Sequence, residues 1–533
     1  MHGRRFATLL AEIQEAICTG AIDRIVNKRK TLLEILQRRK TEDSEHLLIM
    51  VVASLLHLVQ LEKVEAAASL APYVRYSAAS GKVEVRHNEL ERLCVEAPAF
   101  LAGLICAEIG NLLHRTWQAE EGEDVARRGL ALLERSPLDG GANLHPLFVD
   151  LLRCLAIAWW ARLGWQTGYA PEALQRLERL RIHLAKLRRS DPGNARGVYL
   201  VTGIVLDLTA DLLALRGDHM KALDHIHEAR VLVEDGRCED RVRTAHILYT
   251  NGKILATQVA PEEYYLPILL FDSSQRIFPR QHPLKIRAIN RKARCYLRGG
   301  DVAKAKSALE EAMVALKKMQ LSKDERRYCD AEVQLTGLFL LERDSLAIDR
   351  VGQQCRAASK SLIDATEGLP SRLRAEAYLH HGIAEMKHGD KEVAERSLVE
   401  AWELVERSGG PATTRISVLL ARSELMAGRS LDEATQCFAE ASRLLADVRS
   451  TFLHSWRNRL EAQIRGDITI RIDPNGLYSS AQKAASTALR AYLQYQELRA
   501  EGKQTAAAAF CGVSRQRFGQ LRRRYGLTKH AKG

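Results

Sequence analysis

LRGDHMKALDHIHEARVLVE, residues 215–234, decides how this chain is read. A Gly-Asp pair interrupts one apolar segment, and a second, amphipathic segment starts at once. In that segment Ala222, Ile226 and Ala229 fall at spacings of four and three, which is one face of a helix. The arrangement returns in LRGGDVAKAKSALEEAMVALKK (297–318) with Ala305, Leu309 and Ala312. MKHGDKEVAERSLVEAWELVE (386–406) carries Ala394, Leu398 and Ala401. AGRSLDEATQCFAEASRLL (427–445) carries Ala434, Phe438 and Ala441 after Gly428. Weaker copies follow Gly122 and Gly168, with Leu in place of one Ala.

A glycine that permits a tight turn, followed by a helix with two alanines on one face, describes a helical hairpin. The alanines let the partner helix approach, and the large residue between them fills the groove. The unit resembles the second half of a tetratricopeptide-type repeat of about 34 residues. The spacing here is irregular: 83 residues separate Gly217 from Gly300, 89 separate Gly300 from Gly389, and 39 separate Gly389 from Gly428. Each long gap is therefore expected to hide one further hairpin. The family's full pattern of Trp, Tyr and Pro is absent. The expected fold is all-α, a tetratricopeptide-like solenoid over residues 1–465. Its concave face would bind a partner protein, a peptide or a second copy of the chain. Asn251, Arg294, Tyr296, Arg372, Tyr378 and Arg415 lie on the expected first helices of hairpins.

Ala, Leu, Arg and Glu dominate the 533 residues, with 46% hydrophobic and 27% charged, so the chain can bury a core. The net charge of +13 is concentrated at the two ends. Residues 503–533 hold eight Lys/Arg and no acid, and the first forty hold nine against four. A positive terminus points to a polyanionic partner. The ten cysteines are scattered singly with no CxxC, which argues against a zinc site or a disulfide framework and for a reducing compartment. The N-terminus carries acids early and does not read as a secretion signal. LLIMVVASLLHLV (47–59) is too short to span a bilayer and contains His57, so it is expected to be a buried helix. A cytoplasmic protein without membrane association is expected. No phosphate loop, G-x-S-x-G or H-E-x-x-H occurs. His225/His227 and His380/His381 point to different helix faces. Neither enzymatic activity nor a cofactor or metal is expected.

The pattern changes at RGDITIRIDPNGLYSS (465–480), where strand-like alternation meets a turn signal; residues 466–480 are read as a linker. A helix over 481–502 follows, with Ala484, Ala488, Tyr492, Tyr495 and Leu498 near one face. In TAAAAFCGVSRQRFGQLRRRYGL (505–527), a short alanine helix, a Gly512 turn and a second helix capped by Ser514 form a helix-turn-helix. Thr505 is a candidate cap for the first helix. Val513, Phe518 and Leu521 would pack inward; Arg515, Gln516, Arg517 and Gln520 would point outward.

Residues 481–528 resemble the C-terminal DNA-binding domain of the Fis family, the module that ends many bacterial enhancer-binding activators. The resemblance rests on Ala507, Ala508, Gly512, Val513, Ser514, Arg515, Phe518, Arg523, Arg524, Tyr525, Gly526 and Leu527. One departure is Arg522, which stands where the family has a second apolar residue, with Leu521 before it. The resemblance implies a double-stranded DNA partner, with Arg515 the leading base or groove contact. Lys503, Gln504 and Thr505 would meet phosphates, and Arg522, Arg523 and Arg524 would clamp phosphates or read bases. It also implies a homodimer made through the 481–500 helix. The expected function is a bacterial transcription regulator that docks on DNA through residues 481–533. The alternative is a scaffold for a multiprotein complex of a mobile element or defence system, holding nucleic acid without sequence choice.

Overall fold

Small side chains set how closely the helices pack. The computed structural model describes residues 2–38, 44–59, 61–136, 144–167, 169–190, 195–235, 238–259, 263–344, 349–407, 410–427, 429–446, 448, 450–465, 489, 492, 493, 496, 503–510 and 514–524. The linker read at 466–480, the Gly512 turn, Val513 and the residues after Arg524 lie outside the described residues. So do Gly168 and most of the 481–502 helix.

The N-terminal part holds α1 (His2–Cys18), α2 (Ile22–Val26), α3 (Arg29–Arg38), α4 (Ser44–Val59) and α5 (Lys63–Ser69). As expected for 47–59, α4 is buried on every side from His46 to Leu58. Two strands follow that were not expected: β1 (Val74–Ser77) and β2 (Lys82–Val85), antiparallel with Val74 opposite Val85. Gly81 makes their turn in the left-handed region, φ +69°. The Gln118 side-chain amide pairs with both backbone groups of Val83, at 2.7 and 2.8 Å. After α6 (His87–Glu96) the regular array begins.

Eight antiparallel hairpins stack in sequence. They are α7 (Ala99–Arg115) with α8 (Ala119–Arg135), α9 (Pro146–Gln166) with α10 (Ala170–Ser190), and α11 (Ala195–Arg216) with α12 (His219–Asp235). Next come α13 (Arg241–Leu255) with α14 (Tyr265–Ile277), α15 (Pro283–Gly299) with α16 (Val302–Lys318), and α17 (Lys323–Asp344) with α18 (Asp349–Thr366). The last are α19 (Ser371–His388) with α20 (Lys391–Arg407), and α21 (Ala412–Met426) with α22 (Leu431–Leu445), ended by α23 (Thr451–Arg465). The two hairpins expected inside the long gaps are α13–α14 and α17–α18. From Arg241 onward the first helices start at 283, 323, 371 and 412, so the repeats are longer than the 34-residue unit they resemble.

Ala222, Ile226 and Ala229 are fully enclosed as their spacing predicts, as are Ala394, Leu398 and Ala401, while in the last triad Ala434 and Ala441 are buried and Phe438 between them is half-buried. The hidden hairpins keep the register with other residues. Pro267, Phe271 and Ser274 serve α14, and Cys355, Ser359 and Leu362 serve α18. Gly122, read from sequence as a turn residue, lies inside α8 instead. Together with Gly103, Gly110 and Gly129 it brings α7 and α8 together. A Cβ on Gly110 would stand 2.6 Å from Ala126 Cβ and 2.8 Å from the Gly122 carbonyl. The actual turn holds Trp117 at φ +62°, a strained backbone for a residue with a side chain.

The array curves back on itself. The Trp117 ring lies 5.8 Å from that of Tyr328 on α17, five hairpins further on. Lys63 of α5 pairs with Glu325 of α17 at 2.9 Å. Helix α11 touches α21, again five hairpins on, and Gly217 packs against Ala412 and Val448. Helix α11 is also the one described helix long and apolar enough to cross a bilayer, and most of it is buried in this stack.

The C-terminal unit is small: α24 (Gln504–Phe510) and α25 (Arg515–Arg524). Ala507, Ala508, Phe518 and Leu493 form its core, with Leu521 half-buried beside them.

Replacing Gly110 by Ala should therefore destabilise the protein by about 1–3 kcal/mol through overpacking. Gly519→Ala, whose Cβ meets nothing within 4 Å, should stabilise it by up to about 1 kcal/mol through helix propensity. Urea midpoints of the two variants should move in opposite directions.

Candidate functional site

Two surfaces have the composition of binding sites. The first is the exposed side of α25. Ser514 caps this helix, its hydroxyl accepting from the Arg517 N–H at 3.2 Å. Arg515, Gln516, Arg517, Gln520 and Arg523 are exposed along it. The Arg517 guanidinium donates to the Gln520 amide oxygen at 3.1 Å. Lys503 and Thr505 are exposed at the start of α24, and Gln504 is half-buried. Because α24 begins at Gln504, Thr505 lies inside its first turn and does not cap it. Arg522 departs from the sequence reading: it is 9% exposed and turns toward the core of the unit. It lies four residues after Phe518, on the side of the helix that Phe518 and Leu521 bury, so the helical period buries it whatever its charge. It does not belong to the exposed face. The Arg524 side chain lies outside the described residues.

The second surface is the concavity enclosed by the curved array. Successive first helices are laced across it. Asp207 on α11 accepts from His246 at 2.8 Å and pairs with Arg243 at 3.6 Å, both on α13. Lys253 pairs with Asp211. On α15, Arg287 and Arg291 pair with Glu332 of α17, at 2.9 and 3.5 Å. Arg294 donates to Thr336 at 2.8 Å and reaches Glu376 of α19 at 3.7 Å. Burial alone would raise the Glu332 carboxyl; the three arginines outweigh it and hold the group at about 2. Of the first-helix residues named from sequence, Arg294 thus stitches helices together, while Arg372 lines the cavity.

That cavity has a volume of about 870 Å³. Its walls carry nine Lys or Arg against four acids, with Trp117, Trp159, Trp165, Tyr249 and Tyr328 among them. Arg115 at the end of α7 and Arg162 on α9 line it with no ion pair from the described residues. Sequence reasoning named neither, since nothing local marks two arginines 47 positions apart. Elsewhere, Asp150, Cys154 and His183 bring three metal-ligand atoms within 4.8 Å. His183 and Asp150 already form an ion pair at 3.1 Å, and burial keeps the Cys154 thiol protonated, so the cluster reads as a polar contact between α9 and α10.

No family model and no curated protein matches the sequence. Among solved structures the chain is similar to a Rap protein complexed with competence and sporulation factor. The identity is 12%, the TM-score 0.45, and the match covers 80% of this chain and 99% of that one. It is similar to the apo form of the quorum sensor NprR from B. thuringiensis at 13% identity and TM-score 0.43, covering 74% and 97%. A signal transduction ATPase with a tetratricopeptide repeat sensor from Pyrococcus horikoshii follows at 12% identity and TM-score 0.36, covering 82% and 68%. All three TM-scores are below 0.5.

Glu332→Gln leaves three arginines facing a neutral group and should cost about 3–5 kcal/mol at neutral pH, as when one partner of a buried pair is removed. Because the folded carboxyl titrates near 2 against an ordinary 4.5, its contribution is complete above 4.5 and fades as pH falls toward 2. Denaturation midpoints of wild type and variant, measured across that range, should converge on the acid side.

Proposed function

We propose that this protein is a DNA-binding transcription regulator, in which the helical array receives a partner and the terminal helix-turn-helix docks on duplex DNA. One observation carries the DNA half. A helix whose apolar side, Phe518 and Leu521, packs on α24 leaves Arg515, Gln516, Arg517, Gln520 and Arg523 exposed with no acid among them. Arginine and glutamine at the start of an exposed second helix are donors suited to base edges, and the flanking cations suit phosphates. Residues 503–533 contain no carboxylate to oppose a polyanion. The ligand-sized cavity, open on one side, supports the receiving role of the array. The protein would act in the cytoplasm, as a dimer through the helix preceding the helix-turn-helix. The rival scaffold reading shares the DNA contact but not sequence choice.

Fluorescence anisotropy of a labelled duplex titrated with full-length protein tests this. Binding should weaken linearly in log salt. Arg515→Ala should weaken binding to a selected site by about 1–3 kcal/mol and relax its sequence preference. Arg523→Ala should weaken all duplexes alike and reduce the salt slope. Equal binding by wild type and an Arg515→Ala/Arg523→Ala double variant would refute the DNA reading. Random-site selection that yields no motif would favour the scaffold.

A further inference from the structure

We infer that the cavity inside the curved array binds a small oxyanion-bearing ligand, a phosphate or polycarboxylate compound with an apolar part, clamped by Arg115 and Arg162. The inference deepens the reading of the array as the receiving half of the regulator and rests on it. It is independent of what the terminal unit does.

Three observations converge. The first is charge without partners. Several cations of the lining are matched, Lys253 with Asp211, Arg287 with Glu332 and Arg243 with Asp207, whereas Arg374, like the two arginines named, has no ion pair among the described residues. Arg115 and Arg162 line the same cavity and have no carboxylate within ion-pair distance among the described residues. Burial lowers the Arg115 guanidinium to about 9, and the charge of Arg162 adds to the effect. Burial likewise lowers Arg162, against the pull of Asp211 and Asp207. A guanidinium lowered by a like charge and partly withdrawn from water is a costly arrangement that an anion would relieve.

The second observation is a set of polar atoms with nothing to bond. Trp159, Tyr249 and His282 line the cavity with side chains more than nine-tenths buried, and their Nε1, Oη and Nδ1 atoms, set back from its surface, find no hydrogen-bond partner in the protein. Buried donors are normally satisfied. The indole N–H and phenol O–H are donors that the protein leaves unbonded beside the cavity, and His282 stays neutral because burial pulls it down to about 3. The third is shape. A volume of about 870 Å³ falls in the range of small-molecule pockets, about 300–1,000 Å³. Its walls come from both windings, with Trp117 and Trp165 on one and Tyr328 and Arg372 on the other. Aromatic faces suit an apolar part of the ligand, and the arginine forks suit its oxygens.

The test uses the full chain with inorganic pyrophosphate and citrate as probes, each against chloride at equal ionic strength. Melting temperature and titration calorimetry are the readouts. A rise in melting temperature with either probe is expected. Pyrophosphate alone would indicate a phosphate ligand, and citrate alone a polycarboxylate. Arg115→Gln/Arg162→Gln should weaken that binding by about 10- to 100-fold, as expected for lost charged hydrogen bonds. Without anion the same variant should melt no lower than wild type, because it relieves repulsion. Arg515→Gln/Arg523→Gln should show the full wild-type response, and the cavity variant should bind duplex DNA as wild type does. The inference is overturned if wild type responds to neither probe, or if the cavity variant responds equally. It is also overturned if that variant melts clearly lower without anion, or if the tail variant loses the response.

Discussion

Every larger feature of this protein depends on how closely the two helices of each hairpin can approach. A residue pair seven apart, with one side chain between, meets the partner helix once per two turns. When the outer two are Ala or Gly, the backbones come together and the middle residue fills the groove. In the tightest case, α7 against α8, the glycines bring a carbonyl within 2.8 Å of where a Cβ would stand. Close hairpins stack with a constant rotation, and that rotation curves the array until α5 meets α17 and α11 meets α21. The cavity is a consequence of that curvature.

Curving the array inward carries a cost for its polar residues. First helices face the interior, and their charged side chains leave water. Most of that cost is offset by ion pairs between neighbouring first helices, such as Glu332 with Arg287 and Arg291. Such ladders specify which helices neighbour one another more than they stabilise the fold, because desolvation cancels much of the attraction. Arg115 and Arg162 stand out against this background. A fold that neutralises much of its interior charge helix by helix has left them, with Arg374, unpaired on the cavity wall among the described residues.

The hairpins were legible because their signal is local: two small residues and a large one within eight positions, next to a Gly-Asp turn. Where the triad used other residues, as in Pro267–Phe271–Ser274, the hairpin could be inferred only from the length of the gap. The β-hairpin was legible in principle. VRYS and KVEV alternate on either side of Gly81, but the helical composition around them obscured it. Arg522 was misplaced because three consecutive arginines read as one basic cluster. A helix turns 100° per residue, so the members of such a run point in different directions, and Arg522, four positions after the buried Phe518, falls on the inner side. The cavity arginines could not have been found. They meet only through curvature, which accumulates over hairpins and leaves no mark near either residue.

The charge distribution links the two candidate sites. Residues 41–502 sum to zero net charge, yet the cavity lining holds nine basic residues against four acidic ones. With the basic first forty included, residues 1–465 total +5, the same excess that the lining carries, so the rest of the array is balanced. A polyanion too large to enter the cavity would meet an exterior with no net charge, while residues 503–533 would attract it. A small anion can enter and reach cations that DNA cannot. Segregating positive charge between an inner wall and a terminus would let one chain handle the two proposed kinds of anion without either competing for the other's site.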